Sequence, residues 1–250
     1  MLASKLPFRS LARSLPLLVG LALLLSGCLQ SDLTLHFDHN RHGQVSQSIH
    51  LGPRGRALLQ GSLTDWLDDL TERTQTLGGD LRPTADGFDW IMPFTTGADL
   101  MERFQQVWLA PNAETTAADP MLLEIPGLGN LPLRLEVSQR NWFLVSRTHL
   151  IYDLDLQALS PWLNPQTPVG EVGDSLTWRL QVPWNGVVLQ SGSMPATLTR
   201  PTELVWSLQP GQSHHIEVIF WLPNPIGLGT VVIVFLVLLG YFLRYGVAKL

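Results

Sequence analysis

The sequence predicts an α+β fold dominated by antiparallel sheet, with two amphipathic helices in the first half and one transmembrane helix at the C-terminus. Three observations support this prediction. Apolar and polar residues alternate in short stretches of both halves, which is typical of half-buried strands. Two stretches between positions 62 and 108 carry apolar residues at helical spacing. The run from Ile226 to Leu243 contains no charged residue.

The first 28 residues have the layout of a lipoprotein signal. Three basic residues precede an apolar stretch from Leu15 to Leu25 and the letters LSGC, which end at Cys28. This pattern is typical of a lipobox, in which the cysteine sulfur receives a diacylglyceryl group before cleavage. Cys28 is the only cysteine among 250 residues. We therefore expect a signal peptide over 1–27 and a lipidated Cys28 with palmitate among its acyl groups; a buried, unmodified cysteine is the alternative.

The second apolar run is long enough to cross a bilayer. At ~1.5 Å per residue it spans roughly 27 Å as a helix, close to the hydrocarbon thickness of a membrane. Trp221, Tyr241 and Tyr245 lie near its two ends, where interfacial aromatic residues are common. We predict a transmembrane helix over 224–243; a buried C-terminal core helix is the alternative.

The charge distribution predicts the orientation. Five of the 16 basic residues lie before Cys28 or after Leu243, where no acidic residue occurs, so the positive-inside rule places both ends in the cytoplasm. The segment 28–223 holds all 21 acidic residues and the other 11 basic ones. We expect it to be an extracytoplasmic domain, periplasmic or lumenal, on a cell or thylakoid membrane, with a cytoplasmic tail at 244–250. This acidic domain is unsuited to nucleic acid, whose phosphates attract basic patches.

The first two strands are predicted to form a β-hairpin. Apolar residues alternate from Leu33 to Phe37, a polar stretch interrupts the pattern at 39–43, and the alternation resumes from Val45 to Leu51. A register that pairs Leu35 with Ile49 places the apolar residues on one face of the hairpin.

Two helices and a second hairpin follow. Ser62 is predicted to cap the first helix, which ends at Gly78-Gly79. The second hairpin is expected around Asp86-Gly87. The second helix is expected to bury one face, formed by Leu100, Phe104, Val107 and Trp108.

The segment 110–131 is predicted to be a long surface loop, because it is rich in Pro, Gly, Ala and Thr and lacks a sustained period. From Leu133 onward the alternation predicts strands only. Their expected inward-facing residues are Leu133, Leu135, Val137, Leu176, Trp178, Leu180, Val182, Leu204, Trp206, Leu208, Ile216, Val218 and Phe220.

Two stretches of the second half carry a resemblance to known proteins. The segment 141–156, which begins NWFLV and ends IYDLDL, and the segment 204–221, which begins LVWSLQPG, are similar to an uncharacterised cyanobacterial membrane lipoprotein family related to the LppM-type lipoproteins. The resemblance covers nearly the whole chain as an order of elements. It implies an α+β domain without an assigned reaction, and the LppM-type relatives imply that the domain holds lipid.

Histidines of the first hairpin are the candidates for a metal site. In the register that pairs Leu35 with Ile49, His36 and His50 are diagonal neighbours and could share an ion. A metal-dependent hydrolase using them is the least favoured of the functions that we consider. The competing interpretation is a solvated polar face.

The sequence contains no clear motif for a nucleophile or a cofactor. The run Ser191-Gly192-Ser193-Met194 lacks the second glycine of a Gly-x-Ser-x-Gly elbow. Asp153 and Asp155 have the alternation of an ordinary half-buried strand. We therefore expect a non-enzymatic protein without a cofactor.

The chain contains nine tryptophans, a high number for its length. One interpretation is core packing, and the other is an apolar cavity lined by aromatic rings that holds an acyl chain or a pigment-like molecule. We expect a membrane-anchored lipoprotein that binds a lipid-like ligand or a membrane partner. A structural or assembly factor for a membrane protein complex is the alternative.

Overall fold

The predicted α+β class is confirmed in a computed structural model, which describes residues 29–51, 62–108, 121–125, 129–157, 176–189 and 192–245. The strands are β1 Leu29–His39, β2 His42–Leu51, β3 Asp80–Pro83, β4 Gly87–Phe94, β5 Met121–Ile125, β6 Gly129–Asn141, β7 Val145–Asp155, β8 Leu176–Gln181, β9 Val187–Val188, β10 Leu198–Arg200, β11 Glu203–Ser207 and β12 Ser213–Pro223. The helices are α1 Ser62–Thr76, α2 Gly97–Trp108 and α3 Pro225–Tyr245.

The strands form two sheets. The seven-stranded sheet has the order β10-β11-β8-β1-β2-β4-β3, and the five-stranded sheet has the order β5-β6-β7-β12-β9. Among the described strand pairs, β1 and β8 run parallel and the others run antiparallel. The predicted dominance of antiparallel sheet is therefore confirmed.

The five-stranded sheet covers part of the inner face of the seven-stranded sheet. Phe37 of β1 contacts Phe220 of β12, with ring centroids 4.9 Å apart, and Tyr152 of β7 contacts Trp178 of β8 at 5.2 Å. The inward-facing positions predicted for the second half are all buried. This sandwich forms the core of the domain, because each sheet removes the apolar face of the other from water.

The two amphipathic helices cover another part of the seven-stranded sheet, α1 over β3 and α2 over β4, and α2 also packs on β6 of the five-stranded sheet. Trp66 of α1 lies edge-on to Phe88, and Trp90 of β4 contacts both Phe104 and Trp108 of α2. The predicted inner face of α2 is buried. The aromatic rings therefore pack on one another, as the packing interpretation of the tryptophans predicts.

Local sequence explains where the helices begin and end. Gly78 has a φ of 76°, and the amide of Gly79 donates to the carbonyl of Thr74, so α1 ends at the predicted glycine pair. At the start of α2, the amide of Asp99 donates to the hydroxyl of Thr96, and the carboxylate of Asp99 accepts from the amide of Thr95. Thr96 is therefore the N-cap, and the side chain of Asp99 reaches back to the residue before it, which makes this a variant of the capping box.

The predicted register of the first hairpin is wrong by four residues. Leu35 pairs with Val45 and not with Ile49, which instead lies opposite Ser31. The turn is shorter than expected, since His39 pairs with His42. A shift by an even number of residues keeps every side chain on its face, so the hydrophobic pattern could not distinguish the two registers.

The predicted loop at 110–131 is partly wrong. Residues 121–125 form β5, and β6 begins at Gly129 rather than near Leu133. β5 is an edge strand that pairs with β6, and the glycines and prolines around it hide the alternation from a reading of the local sequence. Residues 110–120 and 126–128 of the expected loop lie outside the described residues.

Candidate functional site

The C-terminal helix α3 is the strongest functional feature of the structure. Among its 21 residues only Arg244 is charged, and Gly227 is the one that is buried. Asn224 caps it, because its side-chain oxygen accepts from the amide of Ile226 at 3.2 Å, and Pro225 occupies the first turn. By length and composition α3 is a candidate membrane span, which indicates membrane association.

The β6–β7 turn is bound directly to the start of α3. The side-chain amide of Asn224 donates to the carbonyl of Phe143 at 3.2 Å, and the backbone amide of Asn224 donates to the carbonyl of Leu144 at 2.9 Å. Gly227 packs on the same backbone, since a Cβ atom there would lie 1.6 Å from the carbonyl oxygen of Phe143. A larger residue at this position would separate the turn from the helix.

The β1–β2 turn lies at the same end of the domain. The backbone amide of Asn40 donates to the carbonyl of Pro223 at 3.2 Å, two residues before α3 begins. We call the region formed by residues 39–42, 141–148 and 220–224 the helix-proximal end.

Three buried polar atoms at the helix-proximal end lack partners. The side-chain oxygens of Asn40, Ser146 and Thr148 are buried, and none of the described residues forms a hydrogen bond with them. Ser146 and Thr148 lie on the inner face of β7, opposite Leu222 and Phe220 of β12. Buried polar groups in folded proteins are normally satisfied, so three such atoms at one end need an explanation.

Aromatic side chains are exposed at the same end. Trp142 is 64% exposed and Phe143 is 62% exposed, in the β6–β7 turn beside α3. Trp221 of β12 lies edge-on to Trp142, with ring centroids 6.5 Å apart. Large exposed apolar groups in a cluster are unusual in a monomeric domain and mark an interaction surface.

The polar face of the first hairpin carries a histidine and aspartate cluster. Asp38 accepts hydrogen bonds from His36 at 2.7 Å and from His42 at 2.5 Å, and the other ring nitrogen of His36 lies 3.1 Å from the side-chain oxygen of Gln181. Partial burial acts to raise the pKa of Asp38, but the hydrogen bonds from His42 and His36 outweigh it and hold this pKa below its usual value. The cluster is an ordinary set of surface hydrogen bonds.

The proposed pairing of His36 with His50 is wrong. With the observed register His36 lies opposite Gln44, and His50 lies opposite Gln30, so the two histidines are six residues apart along the hairpin, roughly 20 Å. His50 instead lies 3.4 Å from Asp86. In the described part of the chain, no group of three or more His, Cys, Asp or Glu side chains is arranged to hold a metal ion.

Sequence reasoning missed a second polar cluster on the outer face of the five-stranded sheet. His149 of β7 lies 2.6 Å from Glu217 of β12, and His215 forms a hydrogen bond with Asp153 directly opposite. His215 lies within β12. Only the pairing of β7 with β12 brings these residues together, and neighbouring positions in the sequence carry no signal of it.

The predicted lipid anchor cannot be placed in the structure. Cys28 and the signal peptide over 1–27 lie outside the described residues. β1 begins at Leu29, immediately after that cysteine.

These features define a class of protein: a two-sheet α+β domain joined directly to an apolar helix that is a candidate membrane span. The chain belongs to the family described as protein of unknown function, DUF3153, whose model matches residues 36–248. The predicted membership of an uncharacterised family is therefore confirmed. The cyanobacterial origin stays a prediction.

The chain was also compared with solved structures, and the match found is the NMR structure of the folded domain of the LppM protein from Mycobacterium tuberculosis. The match has a TM-score of 0.43 and 12% sequence identity, and it covers 80% of this chain and 93% of that one. Comparison with curated proteins gave no match.

Proposed function

We propose that this protein is a membrane-anchored lipoprotein that binds a lipid-like molecule without catalysing a reaction. The observation that carries the proposal is the set of unpaired oxygens of Asn40, Ser146 and Thr148 at the helix-proximal end. Each buried polar atom without a partner costs about 1–3 kcal/mol. A lipid that enters between the sheets from the bilayer would satisfy these atoms: its hydroxyl groups would donate to the amide oxygen of Asn40, and its hydroxyl or phosphate oxygens would accept from Ser146 and Thr148.

The anchorage that we propose combines α3 with acyl chains on Cys28. The acidic domain would then lie on the periplasmic or lumenal side of a cell or thylakoid membrane, since the basic residues flank the two membrane segments. Mass spectrometry of the chain purified from membranes is expected to show an N-terminus at Cys28 carrying diacylglyceryl. A chain that still begins at Met1 would contradict the lipid anchor and leave α3 as the proposed attachment.

The lipid-binding proposal is tested by native mass spectrometry of the full chain purified in mild detergent. We expect one retained lipid per chain, and a large loss of retention in Thr148→Val, which keeps the shape of the side chain and removes its hydroxyl. Thr148→Ser is the matched control, because it keeps the hydroxyl and should retain the lipid.

Two results would contradict the proposal: no retained lipid, or equal retention in Thr148→Val and the unaltered chain. In either case the assembly-factor alternative becomes the better explanation. Crosslinking in native membranes would then be expected to give one dominant protein neighbour.

A further inference from the structure

We propose that the exposed turn beside α3 is a lipid-contact surface that seats the domain on an anionic bilayer. We call it the seating surface; it consists of Arg140, Trp142, Phe143, Leu144, Arg147 and Trp221. The proposal rests on the proposed membrane anchorage through α3 and adds the surface by which the folded domain itself meets the lipid.

The position of the turn supports the proposal. Hydrogen bonds from Asn224 to the carbonyls of Phe143 and Leu144 fix the turn beside the first residues of α3. If α3 spans the membrane, its first turn lies at the bilayer surface, and the β6–β7 turn lies there with it.

The side chains of the turn match the interfacial region of a bilayer. Trp142, Phe143 and Leu144 are three consecutive exposed apolar residues, and Trp221 extends the group across to β12. Tryptophan is enriched at the level of lipid headgroups, because its ring is apolar and its N–H group is polar. No neighbouring element of the described chain covers these side chains, whereas a bilayer would.

The charges beside the turn match an anionic lipid. Arg140 and Arg147 lie directly opposite each other on β6 and β7, and within the described ranges neither forms an ion pair with a carboxylate. Like charges in this position repel. Lipid phosphates beside the two guanidinium groups would remove the repulsion.

The sequence segregates its acidic residues away from this end. The segments 137–152 and 218–250 contain no Asp or Glu, although the chain has 21 acidic residues. The seating surface is therefore a local basic and aromatic region on a domain that is acidic overall, which distinguishes a lipid surface from a basic protein as its partner.

The test places an environment-sensitive nitrobenzoxadiazole label at the seating surface. In a Cys28→Ala background, Phe143→Cys provides the single thiol, and Ser213→Cys provides the matched control at the exposed far end of β12. The labelled full chains are reconstituted into vesicles of phosphatidylcholine with phosphatidylglycerol and a lipid that carries a quencher near its headgroup. We expect a blue-shifted emission and strong quenching at position 143, and less quenching at position 213.

A second comparison tests the charges. Arg140→Gln combined with Arg147→Gln should reduce quenching at position 143 in vesicles with phosphatidylglycerol, and should have no effect in vesicles of phosphatidylcholine alone. Quenching at position 143 no greater than at position 213 would overturn the seating surface. An equal effect of the arginine substitutions in both lipids would overturn its preference for anionic lipid.

These results are independent of the lipid-binding proposal. Retention of a lipid in native mass spectrometry depends on the buried oxygens, whereas quenching at position 143 depends on the exposed turn. The lipid-binding proposal can therefore fail while the seating surface is supported, and the reverse.

Discussion

Aromatic side chains are buried in the core but exposed in the turn at the helix-proximal end. Trp90, Trp178 and Trp206 are at most 1% exposed, while Trp142 and Phe143 are more than 60% exposed. The buried rings are covered by the helices or by the facing sheet, and the exposed rings lie beside the start of α3. The comparison shows that residue type alone does not place an aromatic side chain in the core; the neighbouring element decides.

The largest effect is expected from truncation of a core ring. Trp90 is fully buried and donates its N–H group to Thr74, so Trp90→Ala should lower the free energy of unfolding by about 3–5 kcal/mol. Trp142→Ala should change it by less than about 0.5 kcal/mol, because the side chain is exposed. Urea denaturation in detergent measures both values, and similar losses for the two substitutions would break the comparison.

The next effect concerns the contact between turn and helix. Gly227→Ala would place a Cβ atom against the carbonyl of Phe143, and we expect a cost of about 1–3 kcal/mol for the forced separation. Hydrogen exchange of segments 142–145 and 221–228 should become faster. Gly229→Ala is the matched control, because no other described part of the chain lies within 4 Å of its Cβ position outside the adjoining backbone of α3. Equal exchange in the two variants would show that the turn is not held by α3.

The capping box of α2 gives a smaller effect with a defined pH dependence. Burial acts to raise the pKa of Asp99, but hydrogen bonds from Arg103 and Thr95 outweigh it and lower the pKa. The ionised carboxylate of Asp99 therefore stabilises the fold fully above its unfolded-state pKa, about 3.9. This stabilisation is lost as the pH falls through the lower folded-state pKa. Asp99→Asn should cost about 1 kcal/mol at neutral pH.

Thermal unfolding of both proteins across the acid range checks this prediction. The difference between Asp99→Asn and the unaltered chain should shrink below pH 4 or so. A difference that stays constant with pH would show that the charge of Asp99 contributes nothing. The capping box stabilises α2, which carries Phe104 and Trp108 of the buried aromatic cluster. This test therefore concerns the stability of the core.

The effect expected at Thr148 is no larger than that at Asp99 and has the opposite sign. Removing an unpaired buried hydroxyl should stabilise the lipid-free protein, by about 1 kcal/mol in Thr148→Val. Thr148→Ser keeps the hydroxyl and should show no such gain. Differential scanning calorimetry of delipidated protein measures the change. Destabilisation in Thr148→Val would mean that the hydroxyl already has a partner in the protein. The helix-proximal end would then not differ from the core in its buried polar groups.

Much of the fold could be predicted from the sequence, because its signals are local. The alternation of residues such as Leu176, Trp178 and Leu180 reports a half-buried strand, and the glycine pair at 78–79 ends α1 where predicted. The hairpin register could not be predicted, since both registers bury the same residues and only the turn length separates them. β5 was missed because this edge strand forms by pairing with β6, and its own residues show no clear alternation.

The candidate site could be predicted only in part. The apolar run that forms α3 is evident from composition, but its contact with Phe143 joins residues about 80 positions apart in the sequence. The partnerless oxygens of Ser146 and Thr148 appear only after the sheets pack, because in the sequence they look like ordinary residues of an alternating strand. Tertiary arrangement, and not residue pattern, brings this end of the domain together.

If Cys28 is lipidated as proposed, the length of β1 determines how the domain lies on the membrane. The strand begins directly after Cys28, and at its other end the turn through Asn40 meets Pro223 beside α3. Its 11 residues measure roughly 33 Å from end to end. If Cys28 carries a lipid, both ends of β1 are held at the same bilayer. The strand then lies along the membrane surface and not perpendicular to it. The domain then cannot rotate about a single anchor, and the same side of it always faces away from the membrane.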